Sequence, residues 1–465
     1  MGYFICNQSC AIKIGGIIMD FDVIFIGSGH ASWHAAVTLS QSGKKVAIVE
    51  EDTIAGTCTN YGCDPKILLD GPFELKNQLQ QYPGIINGDV EINWEVLMNY
   101  KDKIINPLPI QLEHVFKSVG ITIIKGHGRL TDQNTVAVDS SSYTAENIVI
   151  ATGEHSRKLN IPGNEYLHDS RDFLSLKKMP NNITFIGAGI ITLEFATMAV
   201  ELGSHVTIIE YADKALANFN QEYASNIITK LKEAGVDFKF NTSVTAIEKG
   251  DTRLVVNTNE GDQIFADYVL DATGRMPNVD GIGLKEVGVE FSSKGIVVDD
   301  HLRSSVKNIF ASGDVLDKTV GKLTPTATFE SNYIATQILG DPSPINYSVV
   351  PSVVFTLPRI AQVGVSSSDA ADNDQFAVEQ IDYGKQMLFQ SKNEIDAKLT
   401  VVLNRKTKTV VGAEVYGNEA AEIINLLTLI IEQHMGPASL NKVIFAFPST
   451  SVGVITLLIS KMLTL

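Results

Sequence analysis

Cys58 and Cys63 stand with four residues between them in the run Gly56-Thr57-Cys58-Thr59-Asn60-Tyr61-Gly62-Cys63. Two thiols at this spacing can close into a small disulfide ring on the first turn of a helix. Such a ring accepts two electrons and passes them on. The thiolate is the reactive form, and a helix start favours it. The chain has four cysteines in 465 residues, too few for a disulfide framework, which points to a reducing compartment. No second Cys or His cluster is present to complete a structural metal site with the pair.

The elements around the pair form an internal repeat. An apolar strand from Phe21 to Ile26 leads into Gly27-Ser28-Gly29-His30-Ala31-Ser32, a helix to about Ser42, Gly43, a second strand and Glu50. Gly187, Gly203 and Glu210 stand 160 positions after Gly27, Gly43 and Glu50, and the strand Ile183–Ile186 and a helix occupy the matching places. Two such units in register predict two dinucleotide-binding halves. The glycines let the backbone approach a pyrophosphate, and the helix start supplies unpaired N–H groups. Glu50 and Glu210 can each accept hydrogen bonds from a ribose diol. Ile148–Gly153 and Val269–Gly274 read as apolar strands ending in Ala-Thr-Gly, and Asn308–Asp314 as another buried strand. From about Pro351 alternating apolar stretches (352–356, 399–403, 410–415) precede a helical run from Glu419 to Glu432, predicting a separate α+β domain.

Length fits three domains. A net charge of −16 argues against nucleic acid or anionic membrane as a partner. No apolar run reaches the roughly 18 residues of a membrane span; the tail from Val452 to Leu465 carries Lys461 and reads as a buried or interface helix. Residues 1–18, with Cys6 and Cys10, are a poor signal peptide and read as an N-terminal extension. The expected division is 19–150 and 273–345 for the first nucleotide domain, 151–272 for the second and 346–465 for the last. The fold class is α/β, with two Rossmann-like domains and a C-terminal α+β domain.

Taken together and in this order, the Gly motifs, the cysteine pair, both Ala-Thr-Gly strands and Ala311-Ser312-Gly313-Asp314 resemble the pyridine nucleotide-disulfide oxidoreductases. The resemblance covers about Asp20 to Leu465. It implies FAD held by Gly27, Gly29, Glu50 and Asp314, and NAD(P)H held by Gly187, Gly189 and Glu210. Ser32, Gly56, Thr57, Thr152, Gly153, Gly313 and Gly274 are further cofactor-binding positions. It also implies a homodimer through the last domain, Glu194 beside the flavin, Cys58 as the attacking thiol and Cys63 as the flavin-side thiolate. Glu210, with no Arg following in Tyr211-Ala212-Asp213-Lys214, favours NADH over NADPH.

Several positions depart from the family pattern. The C-terminal His-Pro-Thr-x-x-Glu motif, whose His serves the partner subunit's cysteine, is here Phe447-Pro448-Ser449-Thr450-Ser451-Val452. Neither Phe447 nor Val452 transfers a proton, a loss of typically ~10²–10⁴-fold in general acid–base catalysis. Mercuric reductases also lack that His but carry C-terminal cysteines, and this chain has none after Cys63. The family lysine position holds Ile67, with Lys66 just before it. Asp64 follows Cys63; it is either a helix-start acid or a substitute proton donor, and His434 is another candidate donor. Thr192 fills the third Gly slot of the second motif. His30 and His34, one turn apart, could bind a metal but read as packing residues against the sheet.

The resulting expectation is a cytoplasmic FAD-dependent NADH oxidoreductase with no membrane span. Electrons pass through flavin and Cys58–Cys63 to a small-molecule acceptor such as a thiophilic metal ion or quinone. The rivals are a low-molecular-weight disulfide reductase with a substitute proton donor, and a redox sensor or electron-transfer flavoprotein.

Overall fold

The computed structural model describes residues 19–465. The expected extension, with Cys6 and Cys10, lies outside the described residues. The described chain forms two compact units. The first comprises the chain up to Asn60, Asn106–His155 and Met276–Ile345; the second comprises Tyr61–Ile105, Ser156–Arg275 and Asn346–Leu465.

The first unit is built on β1 (Phe21–Ile26), β2 (Val46–Glu50), β3 (Thr122–Lys125), β4 (Gly128–Asp132), β5 (Thr135–Val138) and β6 (Ser141–Ile150), in the order β3-β2-β1-β6-β5-β4. β1 pairs in parallel with β2 and β6, and Ile309–Ala311 adds in parallel to the far side of β6. β1, β2 and the end of β6 are nearly continuous Val, Ile and Ala, as strands covered on both faces must be, and all of Val23–Ile26 and Val46–Val49 is buried. Helix α1 (Trp33–Gln41) packs Ala35, Ala36 and Leu39 into this core.

The second unit repeats the plan. Asn182–Ile186 pairs in parallel with His205–Ile209 on one side and Tyr268–Asp271 on the other, and the helix Ile190–Glu201 follows the Gly motif. This unit also carries an antiparallel five-stranded sheet, ordered Ser352–Val354, Arg359–Gly364, Val410–Gly417, Lys398–Asn404 and Phe376–Ile381. The helix Ala420–Glu432 covers it with Ile423, Ile424, Leu427 and Ile431. The apolar tail is the helix Thr450–Thr464, burying Val454, Ile455, Leu458 and Met462. The architecture is therefore α/β with two Rossmann-like domains and a C-terminal α+β domain. Among the described residues, no helix is long and apolar enough to cross a membrane.

One local expectation is corrected. Cys58 and Cys63 do not share a helical turn. Helix α2 (Gly56–Tyr61) ends and α3 (Cys63–Gln80) begins across Gly62, which leaves helical dihedrals at φ −140°, ψ −118°.

Candidate active site and nucleotide cradles

In the first unit, Glu50 organises the Gly loop. Its Oε2 accepts from Ser28 N at 2.9 Å and Ser28 Oγ at 2.5 Å, and its Oε1 accepts from Asp52 N at 2.9 Å. Gly27 has φ +103°, and a Cβ there would lie 2.4 Å from Ala151 O, so no other residue fits. Ser32 is buried and its hydroxyl donates to Gly27 O at 2.7 Å; it shapes the loop. It makes no side-chain cap on α1; Trp33 N donates instead to Gly29 O and Ala35 N to Ser331 Oγ. Ala55 and Gly56 both adopt left-handed backbone (φ +83° and +70°). Ala55 N donates to Ser28 Oγ, and Gly56 packs so closely on Gly29 that a Cβ would meet it at 2.8 Å. The same turn launches α2, which carries exposed Thr57 and half-buried Cys58.

Residues not singled out from sequence complete this cradle. Asn278 Nδ2 donates to Thr152 O, Thr152 Oγ1 donates to Asn278 O, and Asn278 N donates to Gly153 O. Gly313 N donates to Glu330 Oε2 at 2.6 Å, and Lys318 neutralises the fully buried Glu330 at 2.6 Å. Half-buried Asp314 lies in the one-turn helix Gly313–Val315 that this pair anchors. A helix start behind a Gly loop, a side-chain-free Gly29 and the Glu50 carboxylate suit the pyrophosphate and ribose of FAD.

The second cradle has the same wiring. Glu210 Oε2 accepts from Ala188 N at 2.7 Å and Oε1 from Ala212 N at 2.8 Å. Gly187 has φ +94°, and a Cβ would meet Ala272 O at 2.9 Å. Gly189 caps its helix without a side-chain bond, and a Cβ there or on Gly274 would touch nothing within 4 Å. That open space fits a dinucleotide backbone. Lys214 is exposed. Thr192 is fully buried in the third Gly slot, its Oγ1 without a hydrogen-bond partner among the described residues.

The thiol end of α3 lies in the second unit. Cys63 is exposed at the first residue of the helix, where unsatisfied amides favour a thiolate. Asp64 occupies the same turn. One turn on, Lys66 Nζ lies 3.3 Å from Glu194 Oε1 and 3.4 Å above the Phe355 ring. Glu194 also accepts from Phe355 N at 2.8 Å. Burial pushes the Glu194 carboxyl above its usual range, with Lys66 pulling it down. Lys66 thus reaches Glu194 although Ile67 holds the family position. Buried Arg359 bridges Asp70 at 2.8 Å and Glu74 at 2.7 Å and also lies over the Phe355 ring, 4.7 Å from its centre. Nothing in the local sequence pairs these residues, which are hundreds of positions apart.

The C-terminal positions hold no proton donor. Phe447 is 86% exposed and half-buried Val452 lies in the first turn of the last helix. His434 is exposed with φ +47°. The histidines of the first motif depart from expectation. His30 precedes α1, and both rings are half-buried and turned toward each other and Thr328, not packed on the sheet.

Residues 21–331 match the pyridine nucleotide-disulphide oxidoreductase family and residues 350–456 match its dimerisation domain. Dihydrolipoyl dehydrogenase of Bacillus subtilis (strain 168) is 30% identical over 451 residues, covering 94% of this chain and 95% of that one. The Staphylococcus aureus dihydrolipoyl dehydrogenase is 31% identical over 450 residues, with the same coverage. Among solved structures, the Cu(II) complex of the HOCl-induced flavoprotein disulfide reductase RclA from Escherichia coli aligns with a TM-score of 0.85. It is 25% identical, over 95% of this chain and 99% of that one. The chain belongs to the pyridine nucleotide-disulphide oxidoreductases. It is an FAD-dependent enzyme of that family, which also uses a pyridine nucleotide.

Proposed function

We propose that this enzyme passes electrons from NADH through FAD and the Cys58–Cys63 pair to a thiophilic metal ion, with Cu²⁺ the leading candidate. The observation that carries the reading is the absence of a proton donor at Phe447 and Val452 beside an intact cysteine motif. A disulfide substrate leaves as a thiolate that must be protonated, whereas a metal ion needs no proton to accept an electron. RclA, similar along nearly the whole chain, has been captured as a Cu(II) complex.

Bound FAD supplies hydride acceptance from the nicotinamide and two-electron delivery to the cysteines. The chain's own residues do the rest. Gly27, Gly29, Glu50, Thr152, Gly153, Gly313 and Asp314 hold FAD; Gly187, Gly189, Glu210 and Gly274 hold the dinucleotide. Gly56 is a backbone contact of the loop, and Ser32 sets the loop's shape. Glu210 disfavours the 2′-phosphate of NADPH by charge. Lys66 and Glu194 set the electrostatics near Cys63. Cys58 engages the acceptor. One NADH then reduces two Cu²⁺ to Cu⁺ and releases NAD⁺ and one proton. The dimerisation domain supports a homodimer, and the few cysteines suit the cytoplasm. Asp64, beside Cys63, favours one second reading, a disulfide reductase with Asp64 as proton donor.

The test is NADH-dependent Cu²⁺ reduction, followed anaerobically with a Cu⁺ chelator, in wild type and Cys58→Ser. Wild type should turn over and the variant should lose the reaction. Equal rates in both would move the acceptor site away from the cysteines and defeat the reading.

A further inference from the structure

The Gly27–Ser32 loop carries a constellation that the redox chemistry does not use. His30 Nδ1 and His34 Nε2 lie 3.3 Å apart, and Thr328 Oγ1 lies 3.3 Å from the first and 3.4 Å from the second. The three donor atoms form a nearly equilateral triangle. The three separations are those of weak hydrogen bonds. Each matches the ligand–ligand edge of a tetrahedral metal site, about 3.3–3.4 Å for metal–nitrogen bonds of about 2.0–2.1 Å. We propose that His30, His34 and Thr328 form a binding site for a late first-row transition-metal cation such as Zn²⁺ or Cu²⁺, with a fourth position open to solvent.

Two further observations support this. First, the rings are held in place before any ion arrives. Trp33 stacks on His34 at 3.5 Å between centroids, and Thr328 belongs to the helix Thr324–Ile338, which is fixed to α1 by the hydrogen bond from Ala35 N to Ser331 Oγ. Second, the nucleotide-binding loop does not itself require these histidines. The positions 160 later, in a loop with the same Glu–amide wiring, are Ile190 and Glu194. Two imidazoles and a hydroxyl suit Zn²⁺ or Cu²⁺ better than Mg²⁺ or Ca²⁺, which take oxygen ligands. The site is independent of which acceptor the cysteines serve.

The experiment uses full-length oxidised holoprotein with free thiols alkylated, so that sulfur ligands do not compete. Zn²⁺ binding is measured by calorimetry and Cu²⁺ coordination by electron paramagnetic resonance, without NADH. The expected result is one Zn²⁺ per chain and a Cu²⁺ spectrum split by two imidazole nitrogens. Loss of an outer-sphere partner already costs about 10–100-fold in affinity. His30→Ala and His34→Ala should therefore each weaken Zn²⁺ by more than tenfold while retaining flavin, with a smaller loss in Thr328→Val. A wild-type Cu²⁺ spectrum without two-nitrogen splitting overturns the proposal, whether or not the variants fold. So does Zn²⁺ binding unchanged in both histidine variants.

Discussion

A cation moved by one position along a helix turns by about 100° around its axis, yet Lys66 still meets Glu194. The long side chain crosses the Phe355 ring to do so, and Phe355 N supplies the second bond to the same carboxylate oxygen. The pair is enclosed, with side-chain exposures of 14% and 6%. Its value lies less in net attraction than in the cost of separating it. Lys66→Met should therefore destabilise the protein by about 3 kcal/mol, the cost of leaving a buried charge alone. The double change Lys66→Met with Glu194→Gln should recover most of that loss in denaturant titrations. The sequence showed Lys66 one position from the family site but left open whether it replaces the family lysine or Glu194 goes without a partner. Phe355, which lies against Lys66 from nearly 300 residues away, and Arg359, which shares the Phe355 ring, could not be read from it.

At the scale of elements, the two Gly loops make separable predictions, because their glycines serve different ends. Gly27 has no room for a Cβ, so Gly27→Ala should lower folding yield and flavin content together. Gly189 has ordinary backbone and open space. Gly189→Ala should keep its melting temperature and flavin content, and weaken NADH binding in a fluorescence titration. An unchanged dissociation constant would show that the space is not the dinucleotide's.

The C-terminal domain holds a second test. Glu394, buried in a turn, lies near half-buried Glu419 at the start of the helix Ala420–Glu432, with Asn418 donating to Glu394 and Lys392 to Glu419. Burial and the Glu419 carboxylate push Glu394 up to about 8. A group raised in the folded state stabilises while protonated, and that contribution is lost as pH rises through its folded value. Its contribution to thermal stability should fall as pH rises from about 4.5 to about 8 and level off above that, and Glu394→Gln should flatten that fall. The strands, the Gly turns and both glutamate ends were legible because local patterns specify them. The Asn278 and Glu330 anchors depend on partners elsewhere in the sequence, and His30 and His34 were misplaced because helix periodicity does not show where α1 begins.

For the whole molecule, family membership supplies the cofactors; under the proposed function, the residues of this chain select the acceptor, with retained cysteines delivering electrons while Phe447 and Val452, at the proton-shuttle positions, deliver no proton. Missing general acid–base catalysis is typically worth ~10²–10⁴-fold, enough to decide between acceptor classes. The most direct measurement is kcat/KM for Cu²⁺ against kcat/KM for lipoamide and glutathione disulfide, with NADH, in one preparation of the wild-type flavoprotein. Cu²⁺ should exceed both disulfides by at least about 10²-fold. Disulfide turnover equal to or faster than Cu²⁺ reduction would contradict the assignment and make Asp64 the proton donor to examine.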